Sequence, residues 1–272
     1  MNIQITALSF TYPVGVNALQ DVSLQISTGE AVAIIGQNGA GKTTLVKHLN
    51  GLLLPTSGSV QIGDWDTRSQ PVAKLAARVG YVFQNPDDQL FKSTVWAEVI
   101  FGPKNLGWSM DQVERHARDA LAAVGYHENY DRHPYDLSPT QRKSLALAAV
   151  LAMNTPIVVL DEPTTGQDYP GTELVGKIVD QLIKSGKTVI SITHDIDFCA
   201  EHFERVVVMA RGQVLLDGPA RSVLSQAELL AQSYVEPPQL IRLASELNMD
   251  SMPLTVDEFN AGLSRYMAGR DG

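Results

Sequence analysis

Hydrophobic and polar positions along the chain predict short strands that alternate with helices, as in a layered α/β domain. Between residues 84 and 156 the strand signals vanish and helical periods dominate, as in Met110–Val124 and Gln141–Ala152. After Gly218 the pattern is again mostly helical, with breaks at prolines 237–238 and 253. We therefore expect a sheet domain over residues 1–218 with a helical lobe at about 85–156, and a C-terminal helical extension over 219–272. The predicted strands are Ile3–Leu8, Val22–Ile26, Ala31–Ile35, Gly80–Phe83, Ile157–Leu160, Thr188–Ile192 and Arg205–Met209.

Composition narrows the class of protein. With 272 residues, 44% of them hydrophobic, the chain is long enough for one large globular domain. Its longest apolar run, Leu145–Met153, has nine residues, fewer than the ~20 that cross a bilayer, and no charged-then-apolar leader opens the chain. A single cysteine, Cys199, excludes an internal disulfide and favours the cytoplasm. The net charge of −9 opposes binding to nucleic acid.

The strongest chemical signal is the stretch AVAIIGQNGAGKTTL, residues 31–45, in which a strand pattern leads into Gly-x-x-x-x-Gly-Lys-Thr and then a helix. This is the P-loop pattern in its required context. Backbone N–H groups of such a loop point at phosphate, the lysine reaches the β and γ phosphates, and the threonine hydroxyl can ligate Mg²⁺. The alternative is a tight glycine-rich turn. The candidate ATP-binding residues here are Gly36, Gln37, Asn38, Gly39, Ala40, Gly41, Lys42, Thr43 and Thr44.

Acidic residues end another predicted strand in IVVLDEP, residues 157–163. Asp161 can hold Mg²⁺ through water, and Glu162 can orient or deprotonate the attacking water. Two adjacent acids also occur in ordinary surface turns. His194 ends the predicted strand in ISITHD and could contact the γ-phosphate, although a lone histidine there is normally a loop or core residue.

The stretch DLSPTQRKSLALA, residues 136–148, reads as the start of an amphipathic helix. Ser138 and Gln141 match the capping box, and Pro139 occupies the first turn, where its missing N–H matters least. Free N–H groups at a helix start can bind an anion. The stretch alone favours the simpler interpretation, a helix that merely begins there.

In this order the motifs resemble those of the ATP-binding-cassette (ABC) ATPases over nearly the whole chain. The resemblance implies an α/β fold: a P-loop ABC core with a mixed sheet, an inserted helical lobe and a C-terminal helical tail. It implies that Tyr12 stacks on adenine, that Gln84 of VFQNP serves hydrolysis and Mg²⁺ as the Q-loop residue, and that Asp168 ends the D-loop. It also implies that the Ser138 signature loop of one subunit faces ATP on the P-loop of another. Read singly, Tyr12 and Gln84 are an ordinary strand-end tyrosine and loop glutamine.

Longer phrases, among them FQNPDDQLF and PPQLIRLASEL, resemble the energy-coupling-factor transporter ATPases. By that resemblance, residues 84–107 dock onto a membrane coupling subunit, a separate membrane protein binds the substrate, and the tail helps pair two ATPases. The protein is then cytoplasmic and peripheral on the inner face of the cell membrane through its partners. Alternatively Phe91, Val95 and Phe101 pack inside the helical lobe; Phe91 is the one we expect to face a partner.

The signature loop departs from the family pattern, because Pro139 and Thr140 replace two glycines. Proline removes one N–H and both side chains crowd the phosphate, so the site is weakened rather than erased. The D-loop differs also, at Thr165 and Gln167. Since the chain's own catalytic set is kept, an intact signature from a second kind of ATPase would use it best, which favours a heterodimer over a homodimer.

Two other function classes stay open. One is a soluble ABC ATPase outside transport, although such proteins usually carry a long coiled-coil insertion or tandem cassettes. The other is a P-loop GTPase or small-molecule kinase, although the sequence has no Asn-Lys-x-Asp guanine motif.

Overall fold

Ten strands and eleven α-helices make up the computed structural model, which describes residues 1–249 and 251–268. The strands are β1 (Ile3–Thr11), β2 (Asn17–Ile26), β3 (Ala31–Ile35), β4 (Ser57–Ile62), β5 (Trp65–Asp66), β6 (Val79–Val82), β7 (Ile157–Asp161), β8 (Thr188–Ile192), β9 (Arg205–Ala210) and β10 (Gln213–Pro219). The helices are α1 (Lys42–Lys47), α2 (Val72–Leu75), α3 (Val95–Asn105), α4 (Met110–Ala123), α5 (Pro139–Ala152), α6 (Tyr169–Lys184), α7 (Ile196–His202), α8 (Ala220–Leu224), α9 (Ala227–Gln232), α10 (Gln239–Glu246) and α11 (Val256–Ala268).

The central sheet has the order β10-β9-β3-β8-β7-β6. It is mixed, because its strands run parallel except for β10, which pairs antiparallel with β9. Every residue of β3, β6, β7 and β8 is buried, as expected for parallel strands covered on both faces. The carboxyl ends of these strands meet at one edge of the sheet and carry the candidate site.

A second sheet, of order β2-β1-β4-β5, is antiparallel and packs its apolar residues against the central sheet. The seven predicted strands are confirmed, although β1 and β2 are longer than predicted. The strands β4, β5 and β10 were not predicted. Only two residues of β4 are buried and none of β5 or β10, so these strands lack the apolar signal on which the prediction depended.

The predicted helical lobe forms between β6 and β7, and residues 84–156 contain no strand. Its helices α3, α4 and α5 pack together through buried residues such as Val99, Leu121 and Leu145. These features and the mixed sheet confirm the expected α/β fold class. No helix among residues 1–249 and 251–268 is long and apolar enough to cross a membrane.

The C-terminal extension consists of short helices. As predicted, prolines 237–238 precede α10 and Pro253 precedes α11. Helices α10 and α11 share a small apolar cluster, and Arg221 of α8 forms an ion pair with Glu258 of α11 at 2.7 Å. Residue 250 and residues 269–272 of the predicted extension lie outside the described residues.

Candidate functional site

The loop between β3 and α1 has a backbone that only glycine can form. Gly36 has a φ of 143°, and a Cβ atom there would lie 2.2 Å from the Met209 carbonyl oxygen. Gly41, which caps α1, has a φ of 100°, and a Cβ there would lie 2.6 Å from the Ala18 carbonyl oxygen. Both positions are left-handed and crowded by backbone, so a side chain would displace the loop.

The Lys42 ammonium is held over this loop. Its Nζ donates hydrogen bonds to the carbonyl oxygens of Gly36 at 2.6 Å and Gln37 at 3.1 Å. Burial lowers the pKa of Lys42, and the nearby negative charges of Glu162 and Asp161 oppose that shift. The amine is therefore preorganised at the loop, where it can neutralise phosphate charge.

The carboxylate of Asp161 ends β7 and accepts two hydroxyl hydrogen bonds. Thr43 donates to Oδ1 at 3.2 Å, and Tyr81 donates to Oδ2 at 2.6 Å. Burial raises the pKa of Asp161, and both hydrogen bonds oppose that shift. Thr43 and Asp161 fit Mg²⁺, a hard cation that binds through one or two protein oxygens plus phosphate and water. The described residues contain no cluster of three or more His, Cys, Asp or Glu side chains that could hold a metal ion without such added ligands.

Glu162 and His194 form the second half of the site. His194 Nδ1 lies 2.7 Å from Glu162 Oε2, and the Thr165 hydroxyl donates to the same oxygen at 3.2 Å. The Glu162 side chain is 8% exposed and that of His194 is 65% exposed. Glu162 has a φ of 53°, a conformation that is uncommon outside glycine.

One cleft of about 810 Å³ brings together Gly36–Asn38, Gln84, Glu162 and His194. Residues of the C-terminal extension between 234 and 242 also line this cleft. Ser233, just before them, contacts the loop through its backbone, since the Gln37 N–H donates to the Ser233 carbonyl at 3.1 Å. The cleft therefore combines a phosphate loop, a buried carboxylate and a histidine.

Several predicted residues do not line this cleft, among them Tyr12, Ser138 and Gln141. Tyr12 stands beside α1, where its hydroxyl lies 3.0 Å from Thr44 Oγ1 and its ring meets Phe10 edge-on at 4.9 Å. Ser138 and Gln141 form the predicted capping box, with the Gln141 N–H donating to Ser138 Oγ at 3.2 Å and the Ser138 N–H to Gln141 Oε1 at 3.1 Å.

Four residues that hold this site were not predicted as site residues. Tyr81 bonds Asp161, Thr165 bonds Glu162, and the Ser233 carbonyl bonds the P-loop. Lys143 adds a hydrogen bond from α5 to the Thr165 carbonyl. Only strand order could have indicated Tyr81, because it lies on the strand beside Asp161, and no sequence signal indicates a contact made through the Ser233 backbone.

Comparison with known proteins gives consistent matches. The family model described as ABC transporter matches residues 19–165, just over half of the chain. The chain is 38% identical to the energy-coupling factor transporter ATP-binding protein EcfA of Methanothermobacter thermautotrophicus, over 98% of this chain and 88% of that one. It is 44% identical to a putative ABC transporter ATP-binding protein of Geobacter sulfurreducens, over 87% and 94% respectively. With a putative ABC transporter ATP-binding protein of Methanosarcina acetivorans it shares 42% identity over 90% of its own length but spans only 40% of that relative.

Solved structures show the same fold. CbiO1 of Clostridium perfringens, described as part of the ABC transporter complex CbiONQ, superposes with a TM-score of 0.74 at 33% identity, covering 91% of this chain and 98% of that one. An ATP-binding cassette solved as a dimer with ADP and Pi superposes with a TM-score of 0.74 at 28% identity, covering 80% and 98%.

Proposed function

This chain belongs to the ABC transporter family of ATP-binding proteins, and from that membership we propose that it is the ATP-hydrolysing subunit of a membrane importer of the energy-coupling-factor type. ATP binding and hydrolysis follow from the family. One observation carries the assignment of individual residues, namely that their side chains converge on one P-loop. Lys42 bonds the loop carbonyl of Gly36, and Asp161 at the end of β7 accepts from Thr43. Glu162 and His194 line the cleft beside Gly36.

Each side chain has a role that its position supports. The loop N–H groups and Lys42 hold the phosphates, and Mg²⁺, held by Thr43 and Asp161 with Gln84 nearby, neutralises charge on the transferred group. Glu162 accepts a proton from the attacking water. His194 holds the Glu162 oxygen through its Nδ1 and exposes the rest of its ring toward the cleft, where it can contact the γ-phosphate. Tyr12 stacks on the adenine.

A membrane partner is expected at an apolar groove beside Gln84. Phe91, at 60% exposure, and Phe101 meet edge-on at 4.9 Å on its rim, whereas Val95 is fully buried and belongs to the lobe core. Exposed aromatic pairs over an apolar groove are typical of an interaction site. Further apolar residues that line the groove are Leu52, Val72, Val79, Phe83 and Met153.

The partner proposal is tested by copurification from membranes. Phe91→Ser should abolish copurification with a membrane subunit while leaving ATP binding to the chain unchanged. Met110→Ser, which alters an exposed residue of the same lobe outside the groove, should copurify as wild type does. A wild-type chain that copurifies with soluble proteins only would favour an ABC ATPase outside transport. Such binding would also contradict the proposed location on the inner face of the cell membrane.

We further propose that the chain pairs with a second, different ABC ATPase. Its own catalytic residues converge in one cleft, while its altered signature loop still forms a capped helix start. The competent ATP site is then the one built from this chain's P-loop and the partner's signature. The C-terminal extension, which lines the cleft, assists the pairing.

Two variants that should lose different steps of the reaction test the proposed chemistry. Lys42→Ala should weaken ATP binding and stop turnover, because phosphate charge loses its counter-charge. Glu162→Gln should keep ATP binding but reduce hydrolysis roughly 10²–10⁴-fold, because the water loses its base. Unimpaired steady-state hydrolysis by Glu162→Gln in the assembled complex would falsify the role of Glu162.

A further inference from the structure

Tyr81 makes a contact that the roles above leave unexplained. Its hydroxyl donates a 2.6 Å hydrogen bond to Asp161 Oδ2. The register explains the contact: Tyr81 of β6 pairs with Val159 of β7, and Asp161 follows two residues later on the same face. A long side chain that leans along its strand therefore reaches the carboxylate. The Phe83 ring, edge-on at 4.8 Å, packs against the Tyr81 ring on the other side.

The two oxygens of Asp161 have separate donors. Thr43 donates to one and Tyr81 to the other, and the aspartate is 3% exposed. The Thr43 hydroxyl is also the proposed Mg²⁺ ligand, a role that a lone pair of its oxygen can fill while its O–H still donates to Asp161 Oδ1. Tyr81 serves the other oxygen, Oδ2, and a buried acceptor that loses its donor is costly.

We propose that Tyr81 is a positioning residue for metal binding: its hydroxyl orients Asp161 so that the divalent cation and ATP bind together. The inference rests on the proposed function, because it assigns Asp161 to the metal. Tyr81 itself touches neither nucleotide nor metal in this proposal and acts only through the aspartate.

Tyr81→Phe removes the hydroxyl and keeps the ring. Mn²⁺ binding to the purified chain in the presence of ATP, measured by electron paramagnetic resonance, should weaken about tenfold, the size expected for a hydrogen bond to a charged group. ATP binding without divalent metal should stay within about twofold of wild type. Tyr126→Phe is the matched control. That tyrosine is 5% exposed against 7% for Tyr81, and its hydroxyl bonds only a backbone carbonyl, that of Asn129, in the lobe.

Several outcomes separate the hypotheses. Wild-type Mn²⁺ affinity in Tyr81→Phe would overturn the inference, as would an equal loss in Tyr126→Phe. In an Asp161→Asn background Tyr81→Phe should add no further loss, and an additional tenfold loss there would show that Tyr81 acts elsewhere. If Tyr81→Phe does not fold, Tyr81→Met, which keeps apolar bulk without the hydroxyl, carries the same expectation. A wild-type chain that binds no Mn²⁺ with ATP would instead overturn the proposed function.

Discussion

At the scale of single residues, Tyr12 shows how a ring and its hydroxyl serve different ends. The hydroxyl lies 3.0 Å from Thr44 Oγ1 within the chain. In the proposed function the ring stacks on the base, an interaction worth roughly 1–3 kcal/mol. Tyr12→Ala should therefore raise the ATP dissociation constant about tenfold or more, measured by calorimetry. Tyr12→Phe is the matched control and should bind ATP as wild type does; if the alanine variant also binds as wild type, Tyr12 is a packing residue only.

From a second residue, His48, we predict how the free energy of unfolding depends on pH. It is fully buried in α1's C-cap, and burial lowers its pKa below the ordinary 6.5, which a hydrogen bond from Nδ1 to the Thr44 carbonyl only partly offsets. The unfolded chain therefore binds a proton near pH 6.5 that the folded chain does not bind. The His48 contribution to stability is complete above that pH and is lost as the pH falls below it.

Urea unfolding between pH 7.5 and 5.5 measures this effect. His48→Gln, which does not titrate, should lose less stability over that range than wild type does. His127→Gln alters an exposed histidine and should keep the wild-type slope. Parallel curves for all three proteins would mean that His48 does not control the pH dependence.

The residues predicted from motif spacing alone, before any resemblance, belong to chemistry that requires a fixed spacing along the chain. Lys42 and Thr43 follow the glycines of their own loop, and Asp161 and Glu162 end one strand. Tyr81 acts across two strands that are far apart in sequence, so its role depends on sheet order. The position of residues 234–242 beside the cleft also depends on how the chain folds, here on where the C-terminal extension folds back.

At the scale of elements, helix starts and chain breaks could be predicted well where a local sequence signal agrees with the packing. The capping box of α5 and the proline breaks of the extension are confirmed because each is a short-range steric or hydrogen-bonding preference. Strands β4 and β10 escaped prediction because they are stabilised by pairing with β1 and β9 rather than by buried apolar faces of their own. Such strands carry little information in a hydropathy pattern.

Helix α4 offers a control for the role of the cap at the start of α5. Ser138 and Ser109 each form a capping box, at the starts of α5 and α4 respectively. Ser138→Ala and Ser109→Ala should each lower the free energy of unfolding by about 1 kcal/mol. Each substitution leaves the backbone N–H of the third helical residue in its own helix without an acceptor. Only Ser138→Ala should also weaken ATP binding at one of the two sites of the assembled complex, since only that cap is proposed to face nucleotide. Equal ATP binding by the two variants would reduce the Ser138 motif to an ordinary helix start.

At the scale of the whole molecule, two ATP sites formed between two chains need not be equal. In the pairing that we propose, each site combines one chain's P-loop with the other's signature loop. In a homodimer both sites would meet Pro139 and Thr140; beside an ATPase with an intact signature, only one would. The site that uses this chain's Ser138 cap should then bind ATP yet turn it over slowly, while the site on this chain's Lys42 and Glu162 hydrolyses it.

Restoring the glycines tests this asymmetry. Pro139→Gly with Thr140→Gly in the purified chain returns an N–H and removes two side chains from the place where phosphate approaches. If the altered loop raises the barrier by even ~1.4 kcal/mol, the ATPase rate of the chain alone should rise about tenfold, provided that the isolated chains dimerise. Dimerisation is checked first by size-exclusion chromatography of the Glu162→Gln variant with ATP, since that variant should bind ATP without hydrolysing it. If the unaltered chain by itself hydrolyses ATP briskly at two equivalent sites and gains nothing from the glycines, the altered loop is simply tolerated and a homodimer suffices.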